Sequence, residues 1–270
     1  MNGRRSIMLL SMLAFGYVFL YLPIAILIAY SFNDSRLVAV WSHASLRWYA
    51  ALLHNVQLQE AAWLSLRIAA ASATMAVILG TAAAFALQRL RPFPGGGGFE
   101  ALVMMPLVIP EVLTGLSLLL LFVVAGDSIG WPQQRGATTI TLAHATFGMA
   151  YATVVVRARL SQLDPALEEA AAILGATPWR SFRRVTLPLL MPAIAAAWLL
   201  AFTLSLDDVV IASFVTGPGA STLPIVVFSS VRLGVSPQIN ALATLIVVFV
   251  GLVILSTTML LRAEARKSRR

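Results

Sequence analysis

RARLSQLDPALEEAAAILGATPWRSFRRVTLP, residues 157–188, is the stretch on which the fold turns, because it sets eight charged residues between two long apolar runs. It is too polar to cross a membrane and too long for an ordinary helix–helix connection. Its own signals are helical. Asp164-Pro165 reads as a cap followed by a first-turn proline, and Glu168 and Glu169 stand early, where acids complement the helix dipole. Leu163, Leu167, Ala170, Ala171 and Leu174 recur at helical spacing before Gly175 stops the helix. After Thr177-Pro178 a second, basic helix is expected, with Trp179, Phe182 and Val185 on one side and Arg180, Arg183 and Arg184 elsewhere. Such a hairpin suits docking into a groove on a partner protein. It equally suits lying on anionic lipid headgroups, and spacing alone does not separate the two.

Outward from this hairpin, the chain is apolar. Of its 270 residues 59% are hydrophobic and 11% charged, against roughly 25% charged in an average soluble domain. A hydrocarbon core of ~30 Å takes about 20 apolar residues in a helix. Stretches 7–32, 64–87, 101–125, 137–156, 187–206 and 239–261 meet that need, the third with Pro106 and Pro110 inside it. The expectation is an all-α polytopic membrane protein of six transmembrane helices in one domain, 1–270, with the hairpin 157–187 between spans four and five. The uncharged run of the first stretch, about 25 residues, exceeds the roughly 7–15 of a signal peptide and reads as an anchor. Ala69, Ala73, Gly80 and Ala84 in the second have the spacing that lets helices approach closely in lipid.

The cations orient the bundle. With the hairpin in the cytosol, that side collects 14 cations and five acids, the outer side five cations and six acids. Both termini are then cytoplasmic. The net charge of +8 is thus a topological signal rather than one of nucleic-acid binding. Outer loops are expected at 33–63, 126–136 and 207–238, the last with two short apolar runs, 209–215 and 223–231, that are interfacial or re-entrant. Gly95–Gly98 reads as a flexible cytoplasmic turn. Cysteine is absent, His43, His54 and His144 lack metal-ligand spacing, and no metal site is expected. The single lysine, Lys267, leaves no phosphate-binding loop, so any ATP belongs to another polypeptide and this chain binds no cofactor.

Acids at membrane depth are functional candidates. Glu111, about ten residues into the third span, is expected near the midplane, on a path or paired with Arg67. Asp207 and Asp208 are expected near the outer interface, on a path or as helix caps. Trp131 and Trp198 offer faces for a cation, or interfacial anchors and packing.

Within the hairpin, Glu169-Ala170-Ala171, Gly175 after three residues, Val185 after nine more and Leu187-Pro188 resemble the EAA loop of ABC-importer permeases. The one deviation is Val185, where isoleucine is usual. Tyr21-Leu22-Pro23, Pro110-Glu111, Ser205-Leu206-Asp207-Asp208, Ser213 to Pro218 and Asn240 to Thr244 are similar to spermidine/putrescine permeases. Gly115 to Phe122 and Ile129-Gly130-Trp131-Pro132 resemble the putrescine type, although aspartate usually stands in place of Glu111. The resemblance implies the type I ABC importer permease (MetI-like) architecture in a bacterial inner membrane. It further implies an ATPase dimer seated on the hairpin, a related second permease, a polyamine-binding protein outside, contact with membrane lipid, and no catalysis in this chain. Two alternatives stay open: the same role for another small solute, and a proton-coupled transporter using Glu111, His144 and Asp207/Asp208. No H-E-x-x-H or G-x-S-x-G element supports a hydrolase.

Overall fold

The computed structural model describes residues 3–37, 40–90, 93–233, 237–248 and 251–252. Arg91, the tail from Arg262 with Lys267, and residues 249–250 and 253–261 of the 239–261 stretch lie outside the described residues. In chain order the helices are α1 (Gly3–Ser31), α2 (Arg47–Leu53), α3 (Val56–Arg89), α4 (Gly96–Val108), α5 (Glu111–Ile129) and α6 (Ala137–Leu160). They continue with α7 (Ala166–Ile173), α8 (Pro178–Ser181), a π-helical turn (Phe182–Thr186), α9 (Leu187–Asp207), α10 (Val210–Val215) and α11 (Leu223–Leu233). A last apolar helix, α12, covers Pro237–Val248. Among the described residues, five helical segments are long and apolar enough to cross a membrane: Met8–Ser31, Val56–Arg89, Glu111–Ile129, Ala137–Leu160 and Pro178–Asp207.

The chain forms two compact units, residues 1–59 with 229–270, and residues 60–228. In the first, the loop after α1 is organised by the buried Asn33. Its amide donates to the Val40 carbonyl at 2.7 Å and accepts from the Ser42 N–H at 2.9 Å, while the Trp48 indole donates to the Asn33 carbonyl at 2.7 Å. The Asn55 side chain donates to Gln238 at 2.9 Å, tying the start of α3 to α12.

The second unit is built on close helix approach. Ala69, Ala73 and Ala84 of α3 are fully buried. A Cβ on Gly80 would come 2.7 Å from the Ala152 Cβ and 2.9 Å from the Thr153 backbone nitrogen, so α3 and α6 meet nearly backbone to backbone. One on Gly148 would meet the Ala76 and Ala201 methyl groups at 3.1 and 3.3 Å, which brings α9 into the same contact. Below it Val77, Val156, Leu160 and Leu190 fill the seam between these helices. Lipid tails are as apolar as leucine, so contacts of this kind rather than release from water hold the helices.

Three features depart from the sequence expectation. The stretch 101–125 is divided: Ile109 is extended (φ −78°, ψ 133°) before Pro110, α4 ends at Val108, and α5 begins at Glu111. A residue before proline is driven out of the helical region by the ring. Met105 tolerates the same neighbour inside α4, so only Pro110 ends a helix. Glu111 therefore sits in the first turn of a helix ~28 Å long, not midway along one. Gly95, at φ +81°, is the turn, while Gly96–Gly98 form the first turn of α4 rather than a slack linker. The basic helix after Pro178 is no separate element: α8 runs through the π-turn into α9 as one helical segment, Pro178–Asp207.

Gly80→Val is expected to force α3 off α6, because the Ala152 Cβ, which cannot rotate away, and the backbone of Met149 and Thr153 block it. A loss of about 1–3 kcal/mol is expected, seen as a lower unfolding temperature in detergent, whereas the same change at Gly97, which faces open space, leaves it in place.

Candidate functional site

Both ends of α9 carry polar constellations. At the first, α7 and α8 form the hairpin. The Asp164 carboxylate accepts from the Ala166 N–H at 2.9 Å and starts α7. Gly175 ends it at φ +82°, with the Ala176 N–H reaching back to the Ala171 carbonyl at 3.0 Å in a Schellman-type closure. Thr177 then accepts from the Arg180 N–H at 3.3 Å to start α8. Glu169, Ala170 and Gly175 are exposed, Ala171 is half-buried, and the tip residues Ile173 and Leu174 are 86% and 87% exposed. Val185 and Leu187 are half-buried and Pro188 is exposed, at the junction where the hairpin becomes α9.

The hairpin is tied to the bundle by Glu168, which the sequence offered only as an acid complementing the helix dipole. Glu168 turns inward and accepts from the Thr186 hydroxyl at 2.8 Å while pairing with Arg89, the last residue of α3, at 3.4 Å. Two of the Arg89 guanidinium nitrogens, Nε and Nη2, are buried with no hydrogen-bond partner among the described residues, so the Glu168 carboxylate is what balances that charge. Phe182 adds an edge-on contact with Phe85 of α3, ring centroids 5.5 Å apart. A second ion pair, Arg157 with Glu100, joins α6 to α4.

At the other end of α9, Asp208 accepts from the Ile211 and Ala212 N–H groups at 3.2 and 2.7 Å and so anchors α10. Its Oδ2 also lies 3.0 Å from His144 Nε2, and His144 Nδ1 lies 2.6 Å from the Ser205 hydroxyl, which stands 3.0 Å from that of Ser72. Both ring nitrogens of His144 thus lie within hydrogen-bonding reach of an oxygen. α3, α6, α9 and α10 are thereby joined through one buried polar chain. The far end of α10 is held as well: the Thr139 hydroxyl donates to the Val215 carbonyl at 2.7 Å and Arg135 to the Phe214 carbonyl at 3.2 Å. Phe214 and Ile211 in turn rest on Gly115 of α5, where a Cβ would come 2.7 Å from the Phe214 ring.

The remaining candidates separate. Asp207 is exposed at the C-terminus of α9. Glu111 is exposed one turn before Gly115, and among the described residues it forms no ion pair with Arg67. Trp198 packs between α3 and α9, its indole donating to Thr74 at 3.1 Å and its ring stacked on Phe202. Trp131 stands half-exposed beyond α5, edge-on to Phe122. Next to it a cavity of about 580 Å³ opens between the 126–135 loop and Gly217-Pro218, lined by Asp127, Gln133, Gln134 and Arg135. The structure thus brings Asp208 together with His144 and leaves Glu111, Asp207 and the two tryptophans in separate surroundings. Glu168 and His144 gave no spacing signal, because their partners are 79 and 64 residues away in sequence.

Glu168→Gln is expected to loosen the hairpin, since hydrogen bonds to a charged group contribute about 1.5–3 kcal/mol. Trypsin cleavage at Arg180, Arg183 and Arg184 then accelerates, and the exchange Arg89→Glu with Glu168→Arg restores resistance that either change alone removes.

Residues 76–270 match the family described as binding-protein-dependent transport system inner membrane component. The putrescine transport system permease protein PotI of Escherichia coli (strain K12) is 56% identical over 258 residues, covering 95% of this chain and 92% of that protein. The spermidine/putrescine transport system permease protein PotC of Haemophilus influenzae is 42% identical over 241 residues, covering 89% and 91%. Among solved structures, a chain of a bacterial ABC transporter that imports alginate superposes with a TM-score of 0.74 at 19% identity, over 94% of this chain and 93% of that one. The inward-facing MetNI methionine transporter gives 0.59 at 18% identity, over 76% and 95%. This chain therefore belongs to the family of binding-protein-dependent transport system inner membrane components, and it has the fold of the ABC importer permeases.

Proposed function

We propose that this chain is a permease subunit of an ATP-driven importer that carries a polyamine, putrescine or spermidine, across a bacterial inner membrane. Both termini face the cytosol. A related, non-identical permease completes the path, an ATPase dimer holds the hairpin, and a solute-binding protein delivers the polyamine from outside. ATP is bound and hydrolysed on the partner chain, and no cofactor or metal is needed in this one.

The observation that carries this reading is the mechanical continuity of Pro178–Asp207: one helical segment has an exposed, self-capped hairpin at its foot and the Asp208–His144 chain at its head. Rocking the hairpin as the ATPase dimer closes moves α9 as a lever, and α10 follows because Asp208 holds its N-terminus. The choice of solute rests on the relatives' names and on the chemistry of a dication, which separated carboxylates suit through charge-assisted hydrogen bonds. Glu111 and Asp207 are the acids assigned to that path. Glu169, Ala170, Ala171, Gly175, Val185, Leu187 and Pro188 form the coupling element.

Reconstitution with the ATPase, the partner permease and the binding protein in liposomes tests it: putrescine or spermidine accelerates ATP hydrolysis and accumulates inside. Glu169→Ala or Gly175→Val lowers uptake at least about tenfold, with the protein still inserted in the membrane. Unchanged uptake in those variants removes the docking role. Glu111→Gln combined with Asp207→Asn weakens polyamine uptake several-fold while basal ATP hydrolysis persists. Normal uptake by that pair rejects the acid path.

A further inference from the structure

The hairpin is divided in charge. α7 holds Glu168 and Glu169 and no cation, whereas residues 177–186 hold Arg180, Arg183 and Arg184 and no acid. The three arginines surround a cleft of about 420 Å³ whose other walls are Thr177 and Trp179. None of them pairs with an acid among the described residues, although three positive charges fall within five positions of one helical segment. Such crowding is unfavourable unless an anion lies among them. The wall is rigid: Trp179 stacks on Phe182 at 5.6 Å, and Phe182 abuts Phe85 of α3.

Position selects the anion. Arg180, Arg183 and Arg184 precede the apolar run that begins at Leu187 by seven, four and three residues, or ~5–10 Å at 1.5 Å per residue. That interval matches the headgroup layer, which adds ~5–7 Å per leaflet to the hydrocarbon core. The indole of Trp179, 69% exposed, stands at the same level, where tryptophan is favoured. Guanidinium forks bind phosphate oxygens through paired hydrogen bonds, which ammonium groups do not offer. We propose that this cleft binds the phosphate of an anionic phospholipid headgroup of the inner leaflet, Trp179 covering the glycerol end. The tip at Ile173–Gly175 is thereby left to the protein partner and the stem to the membrane.

The proposal is independent of the solute carried, and uptake measured in the same vesicles keeps the two readings apart. The complete transporter is purified from membranes and its retained lipid measured by native mass spectrometry. Wild type is expected to hold phosphatidylglycerol or cardiolipin, and Arg180→Gln/Arg183→Gln/Arg184→Gln to hold at least about fivefold less, with the ATPase still bound. Should that variant fail to insert, the wild-type protein decides. Brominated phosphatidylglycerol in nanodiscs then quenches the Trp179 fluorescence, taken as the difference from Trp179→Phe, at least about twice as strongly as brominated phosphatidylcholine. Equal retention by the triple variant, equal quenching by the two lipids, or loss of the ATPase from the triple variant overturns the proposal. Inorganic phosphate that abolishes the difference between the lipids assigns the cleft to the free anion instead and also overturns it.

Discussion

Helices in lipid gain nothing from water by burying apolar side chains on one another, so their hold depends on how closely their backbones approach. In this protein that approach is the meeting of Gly80 with Ala152 and Thr153, and of Gly148 with Ala76 and Ala201. The rest of the 60–228 unit is arranged around it. Because α3, α6 and α9 touch through glycine and alanine, the side chains above and below the contact are brought within hydrogen-bonding reach. Ser72, His144 and Ser205 link across the same three helices on one side of it, and Leu160 and Leu190 pack on the other. A larger residue at Gly80 would spread the helices and part that polar chain without touching it.

The proposed lever needs an arm and two firm attachments, and the 30-residue segment Pro178–Asp207 offers both. At the foot the attachment is electrostatic: Glu168 and Arg89 tie α7 to α3. At the head it is the Asp208 carboxylate, which caps α10 and meets His144. The side chains of His144 and Asp208 are 3% and 10% exposed, so the pair is drier than the Arg89–Glu168 pair at 16% and 28%. Breaking the drier pair leaves the more costly orphan. The π-turn at Phe182–Thr186 lies where the hairpin joins the membrane-crossing part, and Pro192 is a second irregularity further along the arm. The last residue of the π-turn, Thr186, donates to Glu168 of α7.

What could be read from the sequence was whatever is local or periodic. The hairpin's caps at Asp164, Gly175 and Thr177 act within a few residues, and the small residues of α3 repeat at helical spacing, so both show in the order of residues alone. Pro106 and Pro110 look alike in a string, and only the extended Ile109 tells which one ends a helix. The Gly96–Gly98 run reads as slack because glycine disfavours helices in isolation, yet in α4 these residues form the first turn. The pairings of Glu168 and His144 were hidden for a different reason: in the string Glu168 reads as an acid complementing the helix dipole, and His144 stands beside Asp207 and Asp208 only in the proton-coupled alternative. Their significance lies in Arg89 and in Asp208, and no rule of spacing joins residues brought together by the helix crossing.

Asp207 and Asp208 at the head of α9 and Glu111 at the start of α5 also differ in a way that bears on the proposed cation path. Asp208 is already balanced, by two backbone N–H groups and by His144. Glu111 stands in the first turn of α5, where the helix dipole favours its negative charge. Asp207 has the opposite setting: it is the last residue of α9, beside the carbonyl end of the dipole and next to a second carboxylate. A negative charge there is disfavoured by its own helix, and on the proposed path an amine beside it would relieve the repulsion. Of the three acids Asp207 therefore has most to gain from an amine and Asp208 least, which makes neutralising Asp207 the sharper probe of transport and neutralising Asp208 a probe of α10's anchorage.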